Sequence, residues 1–130
     1  MTNRFRPRQG LIIIPIEIFG PSGSTILRAA LDTGAVYTVV SSEILTAIGY
    51  EPNLVRDRIQ ITTGSGLESA TRINVQQINA LSQSRYSFPV LAYTLPVSAG
   101  IDGLLGLDFL RHRQLTIDFQ IGKITLSTKP

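Results

Sequence analysis

Turn chemistry recurs along this sequence at short intervals and cuts its apolar residues into lengths that suit strands better than helices. Gly20-Pro21-Ser22-Gly23-Ser24, Asp32-Thr33-Gly34, Gly64-Ser65-Gly66 and Gln120-Ile121-Gly122 are the main breaks. Each supplies glycine, proline or short polar side chains that let the backbone reverse. Between them, isoleucine-rich and partly alternating segments predict strands over 11–19, 25–31, 37–40 and 86–93. Segments 58–63 and 67–78 flank Gly64-Ser65-Gly66 as a hairpin with a glycine-rich tip. A second hairpin joins 115–119 to 123–126. Two stretches depart from this pattern. At 43–48, Ser41-Ser42-Glu43 offers a hydroxyl cap and an acid in the first turn, and Gly49 ends the helix. The segment 106–112 has helical spacing of Leu107 and Leu110. The expected fold is mainly β, a single lobe with one or two short helices.

At 130 residues the chain has the length of one domain. Its hydrophobic share is 43% and its charged share 16%, against a usual charged share of about 25%. That excludes a disordered tail or a solvating linker. With no cysteine, a disulfide scaffold, a thiol nucleophile and a cysteine-ligated metal are all excluded. A single histidine, His112, leaves a Ser-His-Asp triad or a multi-histidine metal site poorly provided for. The net charge is +3, and Arg4, Arg6 and Arg8 account for the whole excess. Residues 1–9 therefore read as a basic, solvated and mobile segment before a domain spanning 10–127. No aromatic-and-basic interleaving supports a nucleic-acid partner. The apolar run from Leu11 to Ile16 is too short for a secretory segment and soon meets Glu17. No stretch approaches the ~18 apolar residues that span a bilayer. The expectation is a soluble, cytoplasmic protein with no membrane partner.

Ala30-Leu31-Asp32-Thr33-Gly34-Ala35 carries the most chemistry. Asp has low strand propensity, so an acid between an apolar strand and a small-residue turn asks for a reason. Two readings are open. Asp32 can cap its own loop as an Asx-turn, or it can be a reacting carboxylate. A second segment, Asp102-Gly103-Leu104-Leu105-Gly106-Leu107-Asp108-Phe109-Leu110, puts an apolar pair before a glycine and a helix start. Strand plus Asp-Thr-Gly-Ala, then a glycine-tipped hairpin, then apolar-apolar-Gly and a helix, in that order, resembles the retropepsin-like aspartic proteases. The resemblance runs from about residue 11 to 126. The stretch LLGLDFLRHRQLTIDF looks especially like the protease-like domain of the DNA-damage-inducible proteasome shuttle proteins and its bacterial relatives.

That resemblance implies a single-lobed acid-protease barrel with a flap hairpin, acting as an aspartic endopeptidase without metal or organic cofactor. Hydrolysis by carboxylates needs two of them, one ionised and one protonated. This chain has one Asp-Thr-Gly, so the second Asp32 would come from another copy, making a homodimer with the site on its two-fold axis. By the same resemblance Thr33 would bond the opposite loop, and Gly34 would offer its N–H to the carboxylate. Ala35 would face the substrate backbone, and Gly64, Ser65 and Gly66 would form a flap tip over an extended peptide. Val36, Tyr37 and Leu107 stand where retroviral enzymes place acids and an arginine that pair, so both partners are absent together. Two rival readings are a catalytically silent dimerisation or peptide-binding module and a nucleic-acid-binding barrel. Asp102 reads as a turn cap, Asp108 as a helix first-turn acid, Asp118 as a solvent-facing strand residue, and His112 as a surface helix end.

Overall fold

The computed structural model describes residues 2–8 and 10–128. Among these the strands are β1 (Thr2–Arg4), β2 (Ile13–Gly20), β3 (Gly23–Leu31), β4 (Val39–Val40), β5 (Arg58–Thr63), β6 (Gly66–Ala80), β7 (Gln83–Ala92), β8 (Gly103–Leu105), β9 (Gln114–Asp118) and β10 (Lys123–Ser127). The helices are α1 (Ser42–Ala47) and α2 (Leu107–Leu110), and 3-10 turns occur at Pro52–Leu54 and Val97–Ala99. No helix is long and apolar enough to cross a membrane among the described residues.

Strands run in the order β2-β3-β8-β4-β7-β6, and β6 returns to pair with β2, closing a six-stranded barrel. β5 extends from β6 outside that ring, forming the hairpin. β8 lies parallel to β3 and antiparallel to β4. Closure follows from side-chain alternation. In β2, Ile14, Ile16 and Ile18 are buried, while Pro15 between them faces water. They meet Leu27, Ala29, Val75, Ile78, Leu105 and Phe109 in the main core. A second, smaller apolar cluster of Val39, Ala70 and Leu91 lies apart, with Ile59, Ile61, Tyr93 and Leu104 packed against it.

The expected mainly β lobe with two short helices is present, with local differences. Ser41 stands at the N-cap of α1 but its hydroxyl makes no capping bond; Glu43 does occupy the first turn. Gly49 has φ 103°, and a Cβ there would lie 2.6 Å from Ser22 Oγ, so glycine is required on both counts. α2 spans four residues and stops before His112, which is exposed with φ 64°. The strand expected over 37–40 shortens to Val39–Val40, with the Thr38 N–H given to the Asp108 carboxylate while its carbonyl still accepts from the Leu91 N–H. Thr2–Arg4, inside the segment expected to be mobile, pairs with β10, while Arg4, Arg6 and Arg8 are exposed.

Candidate active site

Asp32 leaves the end of β3 into the Thr33-Gly34-Ala35 loop. Its backbone N–H donates to the Leu105 carbonyl at 3.0 Å, so the parallel strand β8 fixes where the loop begins. The Gly34 N–H donates to Asp32 Oδ1 at 2.8 Å, and the Ala35 N–H to the Asp32 carbonyl at 3.2 Å. The Asx-turn is therefore real. It occupies one carboxylate oxygen; among the described residues no other hydrogen-bond donor reaches the carboxylate. A Cβ on Gly34 would sit 3.1 Å from Asp32 Oδ1, which explains the small residue there. Thr33 is exposed at the loop's crest, with no hydrogen bond to its hydroxyl among the described residues.

The loop is held from behind by the second glycine segment. Leu107 and Asp108 donate their N–H groups to the Ala35 and Val36 carbonyls at 2.8 and 3.2 Å. A Cβ on Gly106 would lie 2.6 Å from the Tyr37 carbonyl oxygen and 2.8 Å from that of Ala35, so only glycine lets the two segments approach. Asp108 turns its carboxylate back onto Thr38. Its Oδ1 accepts from Thr38 Oγ1 at 2.7 Å and its Oδ2 from the Thr38 N–H at 3.0 Å. Thr38 Oγ1 in turn accepts from the Gly106 N–H at 3.1 Å. Thr38 is fully buried, and this network ties together both halves of the support. Asp108 is thus a bracing acid, with Oδ1 also accepting from the Phe109 N–H at 2.9 Å. Asp102 braces β3 and not a turn of its own, taking the Arg28 N–H on Oδ2 at 3.2 Å.

Asp32, Gly34 and Ala35 open onto a groove of about 640 Å³. Val36, Val39, Leu91, Leu95 and Leu104 give it apolar walls, and Tyr37 and Tyr93 add aromatic ones. Val39, Leu91, Tyr93 and Leu104 among them belong to the smaller apolar cluster. Asp32 is its one acid. The β5–β6 hairpin forms as expected, paired from Arg58↔Thr71 to Thr63↔Gly66, with Gly66 at φ 109°. The hairpin lines the groove with Gln60, Ile61 and Thr62; Gly64, Ser65 and Gly66 are exposed at its end and are not brought to the groove. On the wall, the Tyr93 hydroxyl donates to Glu68 Oε2 of β6 at 2.9 Å. That bond holds the phenol above its usual titration range, with Coulombic repulsion from Glu68 acting in the same direction. Asp57 pairs with Arg72 at 2.9 Å beside the hairpin's base and raises the guanidinium further. No cluster of His, Cys, Asp and Glu able to hold a metal occurs among the described residues.

Sequence reasoning found the carboxylate and its loop but missed Thr38 as a brace and the whole groove lining beyond Ala35. A threonine just before the apolar Val39-Val40 pair, with an acid two residues past Gly106, was the available signal.

A barrel that delivers one Asp-Thr-Gly carboxylate into a groove beside a glycine-tipped hairpin has the architecture of the retropepsin-like aspartic proteases. The chain is similar to a solved structure described as a retropepsin-like aspartic protease from Rickettsia conorii, with a TM-score of 0.68 over 98% of this chain and 91% of that one. The two are 15% identical, so what they share is the fold. The model of the family described as "gag-polyprotein putative aspartyl protease" matches residues 22–112, from the turn before β3 to just past α2. This chain belongs to that family.

Proposed function

We propose that the protein is an aspartic endopeptidase whose active site forms between two copies of the chain. The observation that carries this is the groove with a single acid, Asp32, one of whose oxygens is held by the Gly34 N–H. A pair of carboxylates about 3 Å apart cannot both ionise, so they share a proton, and the titration belongs to the pair. The ionised member takes a proton from a water held between them. The protonated member polarises the scissile carbonyl as the water attacks. Thr33, exposed at the crest, meets the other copy's loop there, and Ala35 faces the substrate backbone. An extended peptide lies in the groove, held by main-chain hydrogen bonds and closed over by the Gly64-Ser65-Gly66 tip. The catalytic domain is 10–127, with Thr2–Arg4 completing its C-terminal sheet.

The test is digestion of a peptide library by the wild type and by Asp32→Asn, with oligomeric state followed in parallel. Asn keeps the shape and can still accept the Gly34 N–H, so fold and dimer should persist while hydrolysis is abolished. Specific activity of the wild type should fall on dilution below the dimer dissociation constant. Undiminished cleavage by Asp32→Asn, or a rate per chain independent of concentration in a monomer, refutes the reading.

A further inference from the structure

Arg4, Arg6 and Arg8 have no part in the proposed catalysis. Phe5, between the first two, is half-buried, packs against the main core and sets its ring edge-on to Phe119 at 5.9 Å. Its N–H donates to the Gly122 carbonyl at 2.9 Å, pinning the segment. With Phe5 turned inward, Arg4 and Arg6 are left exposed on the other side. There they meet Arg28, which alternates with buried Leu27 and Ala29 and so stands on the outer face of β3. Arg4, Phe5, Arg6, Ile13 and Arg28 line a pocket of about 320 Å³ that has no acid in its walls.

Among the described residues these guanidiniums make no ion pair. Among the described residues Arg4 and Arg6 have no hydrogen-bond or ion-pair partner, and Arg28 Nε reaches only the Gly100 carbonyl, at 3.4 Å. Two acids lie near these groups, and neither forms an ion pair with them among the described residues. Asp102 Oδ2 takes the Arg28 backbone N–H, and Asp118 Oδ1 takes the N–H groups of Gln120 and Ile121 at 2.9 and 3.3 Å. Lys123 lies across from Arg4 on β10, outside the pocket lining, with Asp118 opposite it on β9. Gathering like charges from two distant segments around one hollow costs free energy that a bound anion returns.

We infer that this pocket binds a phosphate monoester. Three guanidiniums lining one pocket suit the several oxygens of a tetrahedral dianion, which accept paired N–H bonds. Phe5 and Ile13 offer an apolar wall to the carbon skeleton that carries the phosphate. The hollow is sized for one such group; a nucleic-acid backbone would call for a longer strip of charge. Arg28 precedes Asp32 by four residues on one strand, about 13 Å at strand rise, so this site is separate from the groove.

The experiment is calorimetric titration of the full chain at low salt with phenyl phosphate and with a phosphoserine peptide. The same peptide carrying glutamate and a short single-stranded oligonucleotide serve as comparisons. Both phosphate ligands should bind one per chain, and more weakly as salt rises. Arg28→Gln, and separately Arg4→Gln with Arg6→Gln, should each weaken binding about tenfold or more while leaving the circular dichroism spectrum unchanged. A phosphopeptide tenfold tighter than phenyl phosphate makes the source a phosphorylated polypeptide; equal affinities make it a free phosphate ester, and the site stands in both cases. Equal affinity for the glutamate peptide, tighter binding of the oligonucleotide, or no response to the arginine variants overturns the assignment.

Discussion

Thr38→Val tests whether the bracing network behind the Asp32 loop sustains the fold as its geometry implies. Valine matches threonine in size, so at this fully buried position the change is one of hydrogen bonding and not of volume. The 2.7 Å bond from Thr38 Oγ1 to the Asp108 carboxylate disappears, at a cost of about 1.5–3 kcal/mol for a bond to a charged acceptor. The Gly106 N–H loses its acceptor as well, and a buried orphan donor costs about 1–3 kcal/mol more. Together these come to roughly 2.5–6 kcal/mol, a large part of the about 5–15 kcal/mol that holds a domain together. At about 4 °C per kcal/mol for a chain of this length, Tm should drop by roughly 10–24 °C. Denaturant unfolding of wild type, Thr38→Val, Asp108→Ala and the double variant completes the comparison. Both single changes remove the same bond, so the double should cost at least about 1 kcal/mol less than their sum. A cost below about 1 kcal/mol for Thr38→Val, or single effects that add within about 0.5 kcal/mol, would show that the network does not brace the loops.

Gly106→Ala should prevent the two loops from docking, since its Cβ would sit 2.6 Å from a backbone oxygen, whereas Gly64→Ala, with nothing within 4 Å, should change stability by less than about 1 kcal/mol; thermal unfolding of the pair checks this, and the reverse order of effects contradicts it. Tyr93 is held protonated by its bond to Glu68, so its folded value lies above the unfolded value of about 10. The stabilisation is complete below that unfolded value and is lost as pH rises through the folded one. In an absorbance titration of the tyrosines, one phenol should therefore lag, and both Tyr93→Phe and Glu68→Gln should remove the lag; a lag that survives either change contradicts the assignment.

The strands of the barrel were legible where side chains alternate against one core. Ile14, Ile16 and Ile18 write that alternation into β2, and the Gly64-Ser65-Gly66 tip announces the β5–β6 hairpin. Legibility fails where pairing is distant or the period breaks. β8 has three residues, two of them buried between β3 and β4, and with no alternation to show it reads as a glycine-flanked apolar pair. In β6 the inward positions are Ile73 and Val75, then Ile78 and Ala80; the parity changes at Gln76. There the Gln76 N–H donates to the Tyr50 hydroxyl at 2.8 Å, opposite Ser87 with φ 49°. A partner 26 residues away, contributed by the chain just past α1, leaves no trace in the local pattern.

The same division separates Asp32 from its surroundings. Asp32 and Gly34 are two residues apart and bond each other, so the motif contains its own geometry. Thr38 and Asp108 are separated by 70 residues and bond only because β8 threads between β3 and β4. Each is ordinary in its own segment, a strand threonine and a helix first-turn acid, and the chemistry arises from closure of the barrel. The groove lining is equally dispersed in the chain: Leu91 from β7 and Leu104 from β8 come from the barrel, and Ile61 comes from β5 of the hairpin outside it. On the proposed function, substitutions that alter peptide selectivity should fall on these scattered apolar positions, while substitutions that abolish chemistry should fall on the contiguous 32–34 loop. The carboxylate must be held to within fractions of an ångström and so needs near neighbours in the chain, whereas a side-chain pocket needs only apolar surface of the right shape, which any strand end can supply.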